Sequence, residues 1–68
     1  MERSTIPIAE RIKNARTAKG LSTEELAKSC GISTSAVLMY ESGKRIPRDS
    51  IKALLSDALG VPIQDLFF

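Results

Sequence analysis

Apolar side chains recur along the chain at the spacing of an α-helix. Ile8, Ile12 and Ala15 stand at positions i, i+4 and i+7, so they share one face of a first helix, which we predict over residues 7–19. Gly20 then ends that helix. No segment alternates between apolar and polar residues with a period of two, the pattern of a half-buried strand. The sequence therefore predicts an all-α protein.

Four further helices follow from the same pattern and from the turn residues between them. We expect them over residues 23–29, 34–42 and 49–59, with a last short helix after Pro62. In the helix over 49–59, the apolar residues of the inward face are Ile51, Leu55, Ala58 and Leu59. With 68 residues, the chain allows one small domain, which we place over residues 1–68. The expected architecture is compact, with five helices around one core.

The middle of the chain carries the capping signals of two short helices joined by a tight turn. Ser22 and Glu25, three residues apart, form a capping box, in which each side chain satisfies a backbone N–H near the other. Ser33 repeats the N-cap role for the following helix. Gly31 lies between the two helices, where glycine can adopt positive φ without steric cost. A helix-turn-helix over about residues 22–43 is the simplest interpretation.

In this order and spacing, these residues resemble the helix-turn-helix domain of the phage-repressor family, the Cro, lambda-repressor and XRE type. The resemblance extends from about residue 8 to residue 67 and implies a compact lambda-repressor-like fold that binds double-stranded DNA, with the third helix in the major groove. The matching segments are Gly20-Leu21-Ser22, Glu25-Leu26-Ala27, Gly31-Ile32-Ser33, Val37, Glu41-Ser42-Gly43-Lys44, Leu59-Gly60-Val61 and Asp65-Leu66-Phe67.

Composition and charge exclude several other classes of protein. The net charge is +2, which permits binding to nucleic acid without requiring it. There is no histidine, and no serine or cysteine stands beside a plausible base, so we do not expect an enzyme. The single cysteine, Cys30, excludes an internal disulfide, and we expect it to be a buried, inert thiol. With one cysteine and no histidine, we also expect no metal site and no cofactor. We expect no membrane contact and a cytoplasmic location, since the sequence has neither a membrane-spanning run nor a signal peptide.

The resemblance implies which residues contact DNA. The exposed side of the third helix would contact bases, while the starts of the second and third helices and the basic segment after them would contact phosphates. The residues concerned are Arg16, Ser22, Thr23, Ser33, Thr34, Ser35, Leu38, Met39, Ser42, Lys44, Arg45 and Arg48. A run of charges is usually only a solvated loop, but this one follows the helix expected in the major groove, which favours phosphate contact.

Three of these positions depart from the family pattern. Leu38 and Met39 are apolar where family members often carry Gln, Arg, Asn or Lys, and Thr23 replaces a usual Gln. Apolar side chains can contact thymine methyl groups, but they cannot form the bidentate hydrogen bonds that identify G or A. Recognition could therefore rest on DNA shape, or the Leu38–Met39 surface could bind a regulatory protein instead.

The resemblance further implies an ion pair between Arg16 and Glu41 that ties the first helix to the third; the alternative is two unrelated surface charges. The last two helices carry more apolar residues than their inner faces need, and the additional ones are Leu54, Phe67 and Phe68. They are either additional core residues or a dimer interface, and we favour the interface because a two-fold DNA site needs a two-fold protein.

Taken together, these patterns predict a sequence-specific transcriptional regulator, preferably a repressor, that binds a pseudo-palindromic operator as a homodimer. The alternative is a protein-interaction module of the same fold, an antitoxin-like or anti-repressor partner that uses Leu38 and Met39.

Overall fold

A computed structural model describes residues 7–68 of the protein. This part of the chain forms five α-helices and no strand: Ile8–Ala18 (α1), Thr23–Cys30 (α2), Thr34–Ser42 (α3), Asp49–Leu59 (α4) and Ile63–Phe67 (α5). The prediction of a five-helix, all-α architecture is confirmed, and the bounds of α3 and α4 agree with the predicted ones. The predicted domain over 1–68 includes six residues that lie outside the described part.

The two helix starts in the middle of the chain have the predicted caps. The backbone N–H of Glu25 donates to Ser22 Oγ at 3.0 Å, and the Ser22 N–H donates to Glu25 Oε1 at 2.8 Å. Ser33 Oγ accepts the N–H of Ala36 at 3.1 Å at the start of α3. Gly31 has φ +69°, a left-handed conformation that a residue with a Cβ adopts only under strain. These local contacts fix where α2 ends and where α3 begins.

The core lies between the inner sides of the five helices. Its fully buried side chains are Ile12, Leu26, Val37, Leu55 and Leu66. Burying a side chain of this size contributes about 1.5–3 kcal/mol relative to exposing it. Helix α2 packs on both α3 and α4, and α5 packs on α1 and α4. Every helix therefore contributes to one continuous core.

Cys30, at the end of α2, is buried as expected, with 6% of its surface exposed. Its thiol donates to the backbone carbonyl of Leu54 over 3.6 Å. Burial raises the pKa of the Cys30 thiol, because the thiolate is poorly solvated there. The thiol therefore stays protonated and inert near neutral pH.

The structure corrects the prediction for Phe67. Its side chain is only 5% exposed and belongs to the core, so it is not part of a surface for self-association. The cause is the docking of α5 between α1 and α4, which turns both Leu66 and Phe67 inward. Leu54 and Phe68 remain exposed, by 41% and 76% respectively.

Within residues 7–68, the longest helices have 11 residues, and none is long and apolar enough to cross a bilayer, which takes about 20 residues. The same part of the chain holds no group of three His, Cys, Asp or Glu side chains placed to bind a metal ion.

Candidate nucleic-acid interface

Helix α3 presents two sides of different character. Val37 and Tyr40 point into the core and are 0% and 7% exposed. On the opposite side, Leu38 and Met39 are 52% and 39% exposed. A shallow surface depression of about 360 Å³ runs along that side, lined by Ser35, Leu38, Met39, Ser42 and Lys44. We call these five residues the α3 depression. They include four of the residues predicted to face bases and one predicted to face phosphates.

Few polar groups of the α3 depression are free to bind a base. The Ser42 hydroxyl already donates to the backbone carbonyl of Met39 at 3.1 Å. Ser35 contributes an exposed hydroxyl, and Lys44 an ammonium group at the end of the helix. The lining contains no amide and no guanidinium group. The depression is therefore apolar at its centre, with hydroxyl groups and one positive charge at its edges.

The starts of α2 and α3 differ in their electrostatics. Each N-cap oxygen accepts a backbone N–H, at Ser22 and at Ser33, while the hydroxyl hydrogen can still donate to another acceptor. The first turn of α2 carries Glu24 and Glu25, which offset the positive end of the helix dipole. The first turn of α3 carries no acidic residue. The start of α3 is therefore the more favourable of the two for an anion such as a phosphate.

Thr23 and Thr34 are the first residues of α2 and α3, and both are half-buried. The structure thus places all four predicted phosphate contacts of the helix starts at cap or first-turn positions, two at each helix.

The basic loop, residues 44–48, is held at both ends. At its start, Gly43 adopts φ +81°, and the N–H of Lys44 donates to the carbonyl of Met39 at 3.1 Å, which closes α3. Toward its end, Pro47 is buried. Lys44 and Arg45 before Pro47, and Arg48 directly after it, are all exposed, as a phosphate-binding segment requires.

Ile46 was not predicted as a surface residue of interest, yet it is 66% exposed within the basic loop. It stands directly before Pro47, which is buried. The sequence did mark this position, because Ile46 is an apolar residue within a run of Lys and Arg. Whether it points inward could not be decided without the position of Pro47.

Arg16 and Glu41 form the ion pair that the resemblance implies. Arg16 Nε donates to Glu41 Oε2 at 2.7 Å, and Nη2 donates to Oε1 at 3.2 Å, so the guanidinium binds both carboxylate oxygens in a bidentate pair. The two side chains are only 12% and 7% exposed. Arg16 Nη1 also donates to the backbone carbonyl of Leu21 at 2.7 Å, a contact that was not predicted. One arginine of α1 thus holds both α3 and the turn before α2.

The exposed apolar residues near the end of the chain do not form one obvious patch. The Phe68 ring lies under Lys52, whose Nζ is 5.3 Å from the ring centre and 5.4 Å from that of Phe67. Leu54 is two residues beyond Lys52 on α4, a rotation of about 200° around the helix. Leu54 therefore points away from the side of α4 that carries Phe68.

Comparisons with known proteins agree with this geometry. A family model described as helix-turn-helix matches residues 12–66. The matched stretch contains α2, the turn at Gly31 and α3, together with most of the basic and capping residues described above.

Three solved structures have the same fold over nearly their full length. The restriction-modification controller protein C.AhdI from Aeromonas hydrophila is 37% identical, with a TM-score of 0.84 over 88% of this chain and 91% of that one. SinR, a master regulator for biofilm formation crystallised in complex with DNA, is 30% identical, with a TM-score of 0.86 over 91% and 100%. The hypothetical transcription factor NHTF from Neisseria is 26% identical, with a TM-score of 0.85 over 100% and 87%.

One curated relative is longer than this chain. Multiprotein-bridging factor 1c of Arabidopsis thaliana is 33% identical over 64 residues, which cover 94% of this chain and 43% of the relative. This chain therefore spans less than half the length of that protein.

Proposed function

We propose that this chain, which belongs to the XRE-type helix-turn-helix family of DNA-binding transcription regulators, acts as a sequence-specific repressor in the cytoplasm. It would bind a pseudo-palindromic operator as a homodimer, with α3 in the major groove. The observation that carries the proposal is the exposed side of α3, which adjoins the basic loop while its other side is buried in the core. A helix of this kind can enter the groove without any loss of core packing.

In this proposal, the basic loop and the helix starts hold the sugar-phosphate backbone. Lys44, Arg45 and Arg48 supply positive charge beside the major groove. The hydroxyl groups and backbone N–H groups at the starts of α2 and α3 would donate to phosphate oxygens, through Ser22, Thr23, Ser33 and Thr34. Such contacts set the position of α3 and contribute no sequence information directly. Ser35, Leu38, Met39 and Ser42 would then face the bases.

Arg16 would act mainly by orienting α3 and less by contacting phosphate. Three of its five N–H groups are engaged by Glu41 and Leu21, so at most two remain for a phosphate. Its main contribution would be to hold α3 at the angle that the groove requires.

We expect affinity for DNA to fall steeply with salt, and the basic loop to set part of that dependence. Each phosphate contact contributes about 0.9 to the slope of log K against log salt. Lys44→Ala and Arg45→Ala should each weaken binding on every DNA sequence and reduce the slope by roughly that amount. Fluorescence anisotropy on one specific and one random duplex, over a series of salt concentrations, measures both quantities.

Lys19→Ala is the matched control for this experiment. Lys19 Nζ lies 3.7 Å from the place where a Cβ on Gly60 would stand, so this cation belongs to the end of α4 rather than to α3. Its loss should leave the salt slope unchanged. Equal slopes for all three variants and the parent would contradict the assignment of the basic loop to phosphates.

The homodimer would form through exposed apolar residues near the end of the chain. Leu54→Gln and Phe68→Gln remove apolar side chains that the monomer exposes by 41% and 76%, and because the two residues lie on different sides of α4, we expect at least one of these changes to weaken self-association. Ile46→Gln, at an exposed residue of the basic loop, is the control and should leave the monomer–dimer equilibrium unchanged. Sedimentation equilibrium measures all three. A protein that stays monomeric at every concentration would refute the dimer.

A second function is favoured by two observations. The first is the similarity to a protein named as a multiprotein-bridging factor. The second is the apolar character of Leu38 and Met39 on a surface that the fold does not need. In this hypothesis the chain is a protein-interaction module, an antitoxin-like or anti-repressor partner. A gel shift on genomic fragments at low salt distinguishes the two: retarded fragments support the regulator, and their complete absence supports the module.

A further inference from the structure

We propose that the α3 depression accepts the C5-methyl group of a pyrimidine, so that the protein recognises thymine and 5-methylcytosine alike and discriminates against unmethylated cytosine. This inference rests on the proposed DNA-binding function and names the chemical group that the surface takes.

The first argument is the apolar centre of the depression. Leu38 and Met39 expose 52% and 39% of their surfaces, while the core on the other side of α3 is already complete with Val37 and Tyr40. The fold therefore gains little from two large apolar side chains at these positions. A methyl group placed against them would remove apolar surface from water on both partners.

The second argument is what the depression cannot do. Identification of G or A by paired hydrogen bonds requires Arg, Lys, Asn or Gln, and the lining contains only one of these, Lys44. Lys44 lies past the end of α3 in the basic loop, where phosphate contact is its proposed use. The Ser42 hydroxyl hydrogen is donated to Met39. The exposed Ser35 hydroxyl can both donate and accept, so it does not identify one base. The feature of the major groove that the apolar centre can distinguish is the methyl group of thymine.

The third argument concerns which partner fits. Lys44 lines the depression, and the exposed Arg45 and Arg48 follow it in the basic loop, so a partner that carries negative charge next to an apolar group fits this surface best. The major groove has this arrangement at every thymine, because the methyl group projects into a groove bordered by phosphates. The same carbon carries the methyl group of 5-methylcytosine. A surface that recognises this group by apolar contact alone has no means of separating the two bases.

The size of the effect follows from the area involved. Removal of one methyl group from water contributes enough to change affinity by about fourfold. We therefore expect each contacted thymine to lose about fourfold in affinity when uracil, which lacks the methyl group, replaces it. A cytosine at the same position should gain a similar factor when it is methylated at C5.

The experiment begins with DNA that the parent protein selects from a random pool. In the preferred site, uracil replaces thymine at one position at a time, and affinity is measured by fluorescence anisotropy at fixed salt. At each sensitive position, cytosine and 5-methylcytosine are then compared. Uracil placed outside the bound site is the control for changes in the DNA itself.

The double variant Leu38→Ala, Met39→Ala assigns the effect to the depression. Both residues are exposed, so the variant should remain folded, which circular dichroism verifies. It should bind thymine and uracil sites equally, while its salt slope stays that of the parent. Equal sensitivity in parent and variant would overturn the assignment, because the methyl group would then be recognised elsewhere.

The remaining outcomes separate this inference from the proposed function. A parent protein that binds DNA and is indifferent to every thymine-to-uracil change overturns the inference alone. A parent protein that retains no DNA at low salt overturns both the inference and the function on which it rests.

Discussion

Replacing Arg16 by alanine is expected to lower the free energy of unfolding by up to about 3–5 kcal/mol, the range for breaking a buried ion pair from one side, because this partly buried pair is largely shielded from solvent. The variant would leave the Glu41 carboxylate, whose side chain is 7% exposed, without the two N–H donors that now lie 2.7 and 3.2 Å away. It would also leave the Leu21 carbonyl without its 2.7 Å donor. A domain of this size has a stability of roughly 3–10 kcal/mol, so the loss would be a large fraction of the total.

The loss should extend to DNA binding for a geometric reason. Arg16 stands in α1 and holds α3 through Glu41, while it holds the turn before α2 through Leu21. The same side chain therefore sets the relative positions of the two helices of the helix-turn-helix. Even under conditions that keep the variant folded, α3 would lose part of its fixed orientation, and affinity for a specific site should fall more than affinity for random DNA.

A double-mutant cycle measures the pair directly. Urea unfolding of Arg16→Ala, Glu41→Ala and the combined variant should give a coupling free energy of about 0.5–3 kcal/mol, as for residues in contact. Arg16→Lys should recover only part of the loss, because an ammonium group cannot reproduce the fork of the guanidinium. Lys13→Ala, which removes an exposed cation from the same helix, is the control and should change stability by less than about 0.5 kcal/mol. Additive effects of the two alanine substitutions would contradict the contact.

The parts of the fold that could be predicted from sequence are those fixed by local contacts. The capping box at Ser22 and Glu25 and the cap at Ser33 each join residues three positions apart. Their chemistry is therefore visible in the sequence itself. The left-handed turn at Gly31 is visible for the same reason, since it needs only glycine. These features locate α2 and α3 and with them the exposed side of α3.

The sequence predictions were wrong or incomplete where packing between distant segments determines which side chains are buried. Phe67 and Phe68 are adjacent and chemically identical, yet one is 5% exposed and the other 76%. Which of them turns inward depends on how α5 docks between α1 and α4, and a helix of five residues has too little periodicity to show this in the sequence. The third hydrogen bond of Arg16 was missed because it goes to a backbone carbonyl, which every residue has and no sequence pattern marks. Ile46 was missed because its exposure depends on the burial of Pro47.

The location of the candidate interface stays a prediction, and only the exposure of its residues can be compared with the structure. The resemblance implies an interface on α3 and the following loop, and Leu38, Met39 and the basic residues of that loop are exposed. The hydrogen-bonding capacity of the α3 depression was less predictable, since the Ser42 hydroxyl donates to the backbone carbonyl of Met39. A side chain that contacts its own helix in this way cannot be distinguished in the sequence from one that faces a base.

Replacing Leu55 by alanine is expected to destabilise the protein by about 2–5 kcal/mol, the range for large-to-small changes at fully buried sites. Leu55 lies on α4 and is 0% exposed, so the change removes apolar contacts and leaves a cavity that the surrounding helices fill only in part. In a domain of this size, such a loss should lower the melting temperature by roughly 8–40 °C.

The neighbouring residue provides the matched control. Leu54→Ala removes the same atoms from the same helix, but the Leu54 side chain is 41% exposed. The change also keeps the Leu54 carbonyl that accepts the Cys30 thiol. It should therefore cost less than half as much as Leu55→Ala when both are measured by thermal unfolding at a concentration that keeps the protein monomeric. Equal losses for the two variants would mean that α4 does not pack with the Leu55 side toward the core, and the inner side of the domain would have to be reassigned. A bound DNA duplex should raise the melting temperature of both variants, because a ligand that binds only the folded state stabilises it by mass action.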